Sequence, residues 1–149
     1  MAELPSFENL RFEMSEGIAV VTVSRPKALN ALNTKTHEEI ERAFTEVRTN
    51  PEIRGAVLTG DGEKAFVAGA DIAELANMGP AEAQAHSAFG QRVFATIETC
   101  GKPVAAAING FSLGGGLEIA LACHVRFACP EAKLTDEGIV ITMLPSRMP

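Results

Sequence analysis

Gly114-Gly115-Gly116-Leu117-Glu118 is the segment of this chain best suited to chemistry. It follows the apolar run Val104 to Ile108 and the pair Asn109-Gly110, and it opens a helical pattern predicted over Gly115 to Cys123. The first amides of a helix lack internal acceptors and the macrodipole favours negative charge in front of them. Glycines let a ligand come close to that backbone. A forming oxygen anion could therefore be held there, with the carboxylate of Glu118 beside it as a base. The same glutamate also fits a first-turn acid that only complements the dipole.

Gly110-Phe111-Ser112-Leu113-Gly114 also satisfies G-x-S-x-G between a strand and a helix, the setting of a hydrolase nucleophile. Such enzymes order the triad as serine, acid, histidine. Here the sole downstream histidine, His124, precedes three of the downstream acids, Glu131, Asp136 and Glu137. It also lies twelve positions on, at the far end of the same predicted helix, about 18 Å away at ~1.5 Å per residue. Ser112 is therefore expected to be a bystander.

A second segment with the character of a site is Ala65 to Ile72 (AFVAGADI), where small residues around Gly69 free the Ala70 N–H to face a ligand. A tight turn with Asp71 as helix N-cap explains the same residues. Gly60-Asp61-Gly62 is no phosphate loop, because it lacks the full spacing and precedes a strand. Cys100, Cys123 and Cys129 match neither a disulfide framework nor a zinc pattern and are expected as buried free thiols. His37, His86 and His124 are scattered, and each is expected at the surface or in packing. No metal site is expected.

The elements that must position these residues alternate along the chain. Strands are predicted at Leu10 to Met14, Ile18 to Ser24, Gly55 to Thr59, Ala65 to Val67 and Val104 to Ile108. Helices are predicted from Asn33 to Arg48, from Pro80 to Thr99 and from Gly115 to Cys123, with a shorter one starting near Asp71. Strands separated by helices imply crossover connections and the α/β class.

The whole is 149 residues, 46% apolar, enough for one domain with its own core. Thirteen basic against nineteen acidic residues give a net charge of −6, which excludes a phosphate-backbone binder. No apolar run approaches the ~20 residues of a membrane span. Met1 to Asn9 has no secretory pattern, so a cytoplasmic location is expected.

Three segments taken together carry a resemblance: Arg25 to Leu32 (RPKALNAL), Ala65 to Ile72, and Lys102-Pro103 through Asn109-Gly110 to Glu118. In this order and spacing the chain resembles the enoyl-CoA hydratase/isomerase (crotonase) family, closest to its short-chain enoyl-CoA hydratases, from about Phe12 to about Lys133. The resemblance implies a spiral of repeated β-β-α turns. It implies hydration of a trans-2-enoyl-CoA to a 3-hydroxyacyl-CoA, with CoA as part of the substrate and no other cofactor. Ala70 and Gly115 match the two oxyanion-hole amides, and Glu118 the first of two catalytic glutamates. Lys27, Ala28 and Leu29 match the loop along the CoA, and Ala68 the backbone at the adenine. Asp71, Ile72 and Gly114 belong to the same substrate-binding segments.

After Lys133 the chain departs from the family pattern. Gly138 falls at the second glutamate, with Glu137 one position early, and the family's C-terminal trimerisation helices have no counterpart. The resemblance therefore implies one N-terminal crotonase-like domain over residues 1–149, incomplete at its C-terminus, with a trimer or hexamer doubtful. The alternatives are an impaired acyl-CoA-binding fragment, or an isomerase of 3-enoyl-CoA to 2-enoyl-CoA.

Overall fold

The computed structural model describes residues 3–135. Glu137, Gly138 and the expectations that rest on them lie outside the described residues. The chain begins with an antiparallel hairpin, β1 (Leu10–Ser15) and β2 (Ile18–Val23), turned by Glu16-Gly17. A 3-10 turn at Pro26–Ala28 leads into α1 (Thr34–Thr49), whose N-cap is Asn33: its side chain accepts from the Thr36 N–H. Then come β3 (Gly55–Gly60), β4 (Ala65–Val67), the single-turn α2 (Ile72–Leu75) and α3 (Pro80–Glu98). The unit repeats as β5 (Val104–Ile108), β6 (Phe111–Leu113) and α4 (Gly115–Ala122), and restarts with β7 (Val125–Ala128) and β8 (Lys133–Thr135).

From β3 onward each repeat sends its first strand to one sheet and its second to another, whereas β1 and β2 share the larger sheet. The larger sheet runs β1-β2-β3-β5-β7, parallel from β2 onward, and the smaller runs β4-β6-β8, parallel throughout. Parallel neighbours need a long return path. Here α1 carries the chain from β2 to β3, α3 from β4 to β5 and α4 from β6 to β7. The expected spiral of β-β-α turns is the observed arrangement.

The core lies between the large sheet and helices α1 and α3. Val21, Val23 and Leu58 from the sheet meet Ile40, Phe44 and Val47 from α1 and Val93 and Ile97 from α3, all fully buried. The apolar positions of α1 recur at the helical period, which is why its stripe was readable in advance. Glu39 is a buried exception whose carboxylate accepts from the Glu8 and Asn9 N–H groups at 2.9 and 2.8 Å, tying the N-terminal arm to α1.

Strands β6, β7 and β8 were not anticipated. β6 occupies three residues of what read as a glycine-rich junction, and β7 and β8 bury none of their residues. Neither length nor burial pattern gave them a periodic signal.

Candidate active site

The small sheet brings two loops together. Val67 in β4 pairs with Ser112 in β6, so the residues three positions further along each chain, Ala70 and Gly115, emerge side by side. A Cβ built on Gly115 would stand 3.8 Å from the Ala70 nitrogen. Gly69, at φ +92°, makes the turn that brings Ala70 round, and its backbone leaves a Cβ only 3.2 Å from the Leu113 carbonyl. Gly114 caps α4 at φ +49°. These are left-handed conformations that glycine adopts without strain.

The amides of Ala70 and Gly115 have no acceptor among the described residues, whereas the amides of Ala68, Asp71 and Gly114 are engaged. Leu32 N–H donates to Gly69 O at 2.8 Å, Asp71 N–H to Leu32 O at 2.9 Å, and Ala68 N–H to Leu29 O at 3.1 Å. The Leu32 and Ala70 segments thus run as a short parallel bridge that leaves the Ala70 N–H over.

Gly115 and Gly116 are glycines for different reasons. A Cβ on Gly116 would collide with the Val67 carbonyl, so that residue is required for packing α4 against β4. A Cβ on Gly115 would meet nothing closer than ordinary contact, its nearest neighbour being the Ala70 nitrogen.

A cavity of about 270 Å³ opens on these two amides, and Glu118, one helical turn along α4, lines it as well. Burial pushes the Glu118 carboxyl above its ordinary range, which makes its carboxylate a stronger base. Leu32, Leu75 and Phe94 supply apolar walls. Two amides without acceptors and a carboxylate thus belong to residues that line one space, a combination suited to holding a developing oxyanion beside a base.

Ser112 is fully buried, and its hydroxyl donates to Gly116 O at 3.0 Å, so it fastens the start of α4. His124, the base a hydrolase would need, is spent elsewhere: its Nδ1 accepts from the Val104 N–H at 2.9 Å and its Nε2 donates to Glu98 O at 2.9 Å.

Of the expected site residues only Ala70, Gly115 and Glu118 line this cavity; the others lie outside its lining. Asp71 caps α2, with Oδ1 accepting from Ala73 and Glu74 N–H, while Oδ2 binds Arg25 at 3.0 Å. That guanidinium holds the Asp71 carboxyl below the usual carboxylate range. Ile72 is 77% exposed. Lys27 is exposed on the 3-10 turn beside the half-buried Ala28, and Leu29, exposed at φ +50°, projects from the loop whose carbonyl holds Ala68.

Arg25 and Asn30 were not singled out from sequence, yet they fasten this loop. Arg25 also donates to Ala31 O, and buried Asn30, at φ +59°, donates to Asp61 O and Ala65 O at 3.0 Å while accepting from the Arg25 N–H. An asparagine before an alanine-leucine pair signals such a left-handed turn only weakly. His37 and His86, expected at the surface or in packing, both line the cavity. Among the described residues no group of three His, Cys, Asp or Glu side chains could hold a metal ion, and no helix is long and apolar enough to cross a membrane.

The comparisons with known proteins decide the family. The model of the enoyl-CoA hydratase/isomerase family matches residues 13–148. The chain belongs to this family. It is 45% identical over 140 residues to crotonyl-CoA hydratase of Syntrophomonas wolfei, covering 94% of this chain and 54% of that protein. It is 43% identical over 137 residues to short-chain-enoyl-CoA hydratase of Clostridium acetobutylicum, covering 92% and 52%. The crystal structure of enoyl-CoA hydratase from Bacillus anthracis superposes with a TM-score of 0.83 at 34% identity, over 85% of this chain and 50% of that one. The crotonase fold is thereby established, and the chain spans about half the length of the curated relatives it matches.

Proposed function

We propose that this chain carries the catalytic centre of an enoyl-CoA hydratase, adding water to a trans-2-enoyl-CoA to give a 3-hydroxyacyl-CoA. One observation carries the reading: Ala70 and Gly115, whose amides are unengaged, lie side by side and line a cavity that Glu118 also lines. In this reading the two amides hold the thioester oxygen. Glu118 takes a proton from water as the water oxygen bonds to C3, and the C2=C3 electron pair moves toward the carbonyl, leaving enolate charge on that oxygen. Return of a proton to C2 completes the addition of H and OH. The amides stabilise the charge only as it forms, which is what lowers the barrier.

Substrate recognition follows from the surrounding loops. Lys27, Ala28 and Leu29 would lie along the CoA, with the Ala68 backbone at its adenine, and Gly114 and Ile72 would flank the acyl entrance. Asp71 would act by holding the Ala70 loop to Arg25. CoA enters as part of the substrate, and the reading invokes no other cofactor, no nucleic acid and no membrane. The three cysteines are free thiols, which suits the reducing cytoplasm. The second acid's position falls at Gly138, outside the described residues, the family's oligomer rests on helices in the part of the relatives that this chain does not span, and we treat residues 1–149 as the N-terminal, substrate-holding portion of that architecture. The test is the loss of the enoyl thioester's ultraviolet absorbance on mixing purified protein with crotonyl-CoA, with 3-hydroxybutyryl-CoA identified as product. No product at any protein concentration, with acyl-CoA bound, would favour the alternative of a binding fragment.

A further inference from the structure

The cavity that Ala70 and Gly115 line is also lined by a group that an alkyl chain would not use. His37 is 4% exposed, on α1. Its Nδ1 lies 3.0 Å from the Asn33 carbonyl, and a carbonyl can only accept, so Nδ1 holds the proton and Nε2 presents a lone pair. That Nε2 has no partner among the described residues, while no sealed side-chain nitrogen or oxygen among them is left unpaired, so Nε2 is reached from the cavity. Gly90 on α3 makes this possible: a Cβ there would sit 3.3 Å from Nε2 and cover it. The ring is fixed on its other sides by His86, edge-on at 5.4 Å, and Phe94 at 5.8 Å. Burial, with His86 adding to it, pulls the imidazole down to about 4, so it is uncharged at neutral pH.

We propose that His37 reads a hydroxyl group on the acyl chain, so that the site selects hydroxylated acyl-CoA thioesters over plain alkanoyl ones. The inference rests on the acyl-CoA reading above and names its substrate class. A hydroxyl donor satisfies Nε2, whereas an alkyl chain displaces water from it and leaves a buried acceptor unpaired, which is costly. A carboxylate offers no proton and would face Glu118 across the same space. A charged donor would have to shed its hydration against Leu32, Leu75 and Phe94.

The test is equilibrium binding of 4-hydroxybutanoyl-CoA and 5-hydroxypentanoyl-CoA, each against the alkanoyl-CoA of the same length, with crotonyl-CoA hydration measured on the same preparation. At one of these lengths the hydroxylated ligand should bind roughly tenfold tighter or more. The preference should vanish in His37→Phe, which keeps a ring but loses the acceptor. Should that variant not fold, Gly90→Ala, whose methyl covers Nε2, should abolish the preference in its place. Equal binding at both lengths, or a preference that survives the substitution, would overturn the assignment. Hydration of crotonyl-CoA without any preference would remove the hydroxyl reading and leave the hydratase reading standing. A preference without hydration would do the reverse.

Discussion

Gly115 and Gly116 are adjacent and identical, yet the structure asks different things of them. Gly115→Ala has room in the fold and removes a helix-disfavouring residue, so thermal stability should be kept or raised. Its methyl would stand 3.8 Å from the Ala70 nitrogen, in the space proposed for the thioester oxygen, and turnover should fall about 10²-fold or more, as on losing an oxyanion donor. Gly116→Ala should instead destabilise by about 1–3 kcal/mol through overpacking against Val67. Melting temperatures and crotonyl-CoA turnover measured on the two variants separate the roles, and a stable, fully active Gly115→Ala protein would remove the proposed carbonyl position. His37 is a second residue with a measurable consequence. Its imidazole titrates near 6.5 when unfolded and near about 4 when folded, so the unfolded chain binds the proton first. Its contribution is complete above pH 6.5 and is lost as pH falls from there toward 4, by up to about 3 kcal/mol. Urea midpoints at neutral pH and near pH 4 should converge less steeply in His37→Phe than in the parent chain. At this scale sequence pattern was informative where type and spacing coincide, as at Glu118 behind three glycines. It was uninformative for His37 and His86, because nothing local says that α1 and α3 face each other across a cavity.

The elements that matter most for the site are the shortest. Single-turn α2 is held by Asp71, which caps it and ties it to Arg25 on the other loop. Asp71→Ala should cost about 1 kcal/mol for the lost cap. It should lower kcat by more than that change suggests, up to ~10²-fold, because displacing the Ala70 amide by an ångström spoils the geometry. A melting curve and a turnover assay on the same variant check this, and a loss of stability with unchanged kcat would assign Asp71 to folding alone. The long helices and the β-branched or alanine-rich strands were legible as periodic patterns, and their observed bounds differ by a residue or two. β6, which sets Gly115 beside Ala70, was not, since Phe111–Leu113 is three residues long and its pairing with β4 joins positions some 45 apart in sequence. Register across a sheet is a long-range property that local propensity does not encode.

For the molecule as a whole, the spiral explains why a site forms between loops distant in sequence: successive repeats deliver equivalent strand ends to one place. The same repetition leaves an edge. Among the described residues β7 is the last strand of the large sheet, and Phe127 and Val125, on one face of it, are 68% and 50% exposed. Apolar residues on a strand edge promote association. Residues 1–149 should therefore self-associate in a concentration-dependent way, and Phe127→Lys should weaken this in sedimentation velocity. A monodisperse parent chain over the micromolar range would show that the edge is covered. The family and its α/β class were readable from three separated segments, while sheet order was not, because each segment reports its own loop and not its neighbour.

The central claim is that Glu118 and two backbone amides form one catalytic centre, and Glu118→Gln tests it most directly. The amide side chain keeps the shape of the carboxylate and cannot accept the proton from water. Crotonyl-CoA hydration by the variant should fall by about 10²- to 10⁴-fold, with the dissociation constant for an inert acyl-CoA unchanged within a few-fold. Hydration by Glu118→Gln at the rate of the parent chain would contradict the account.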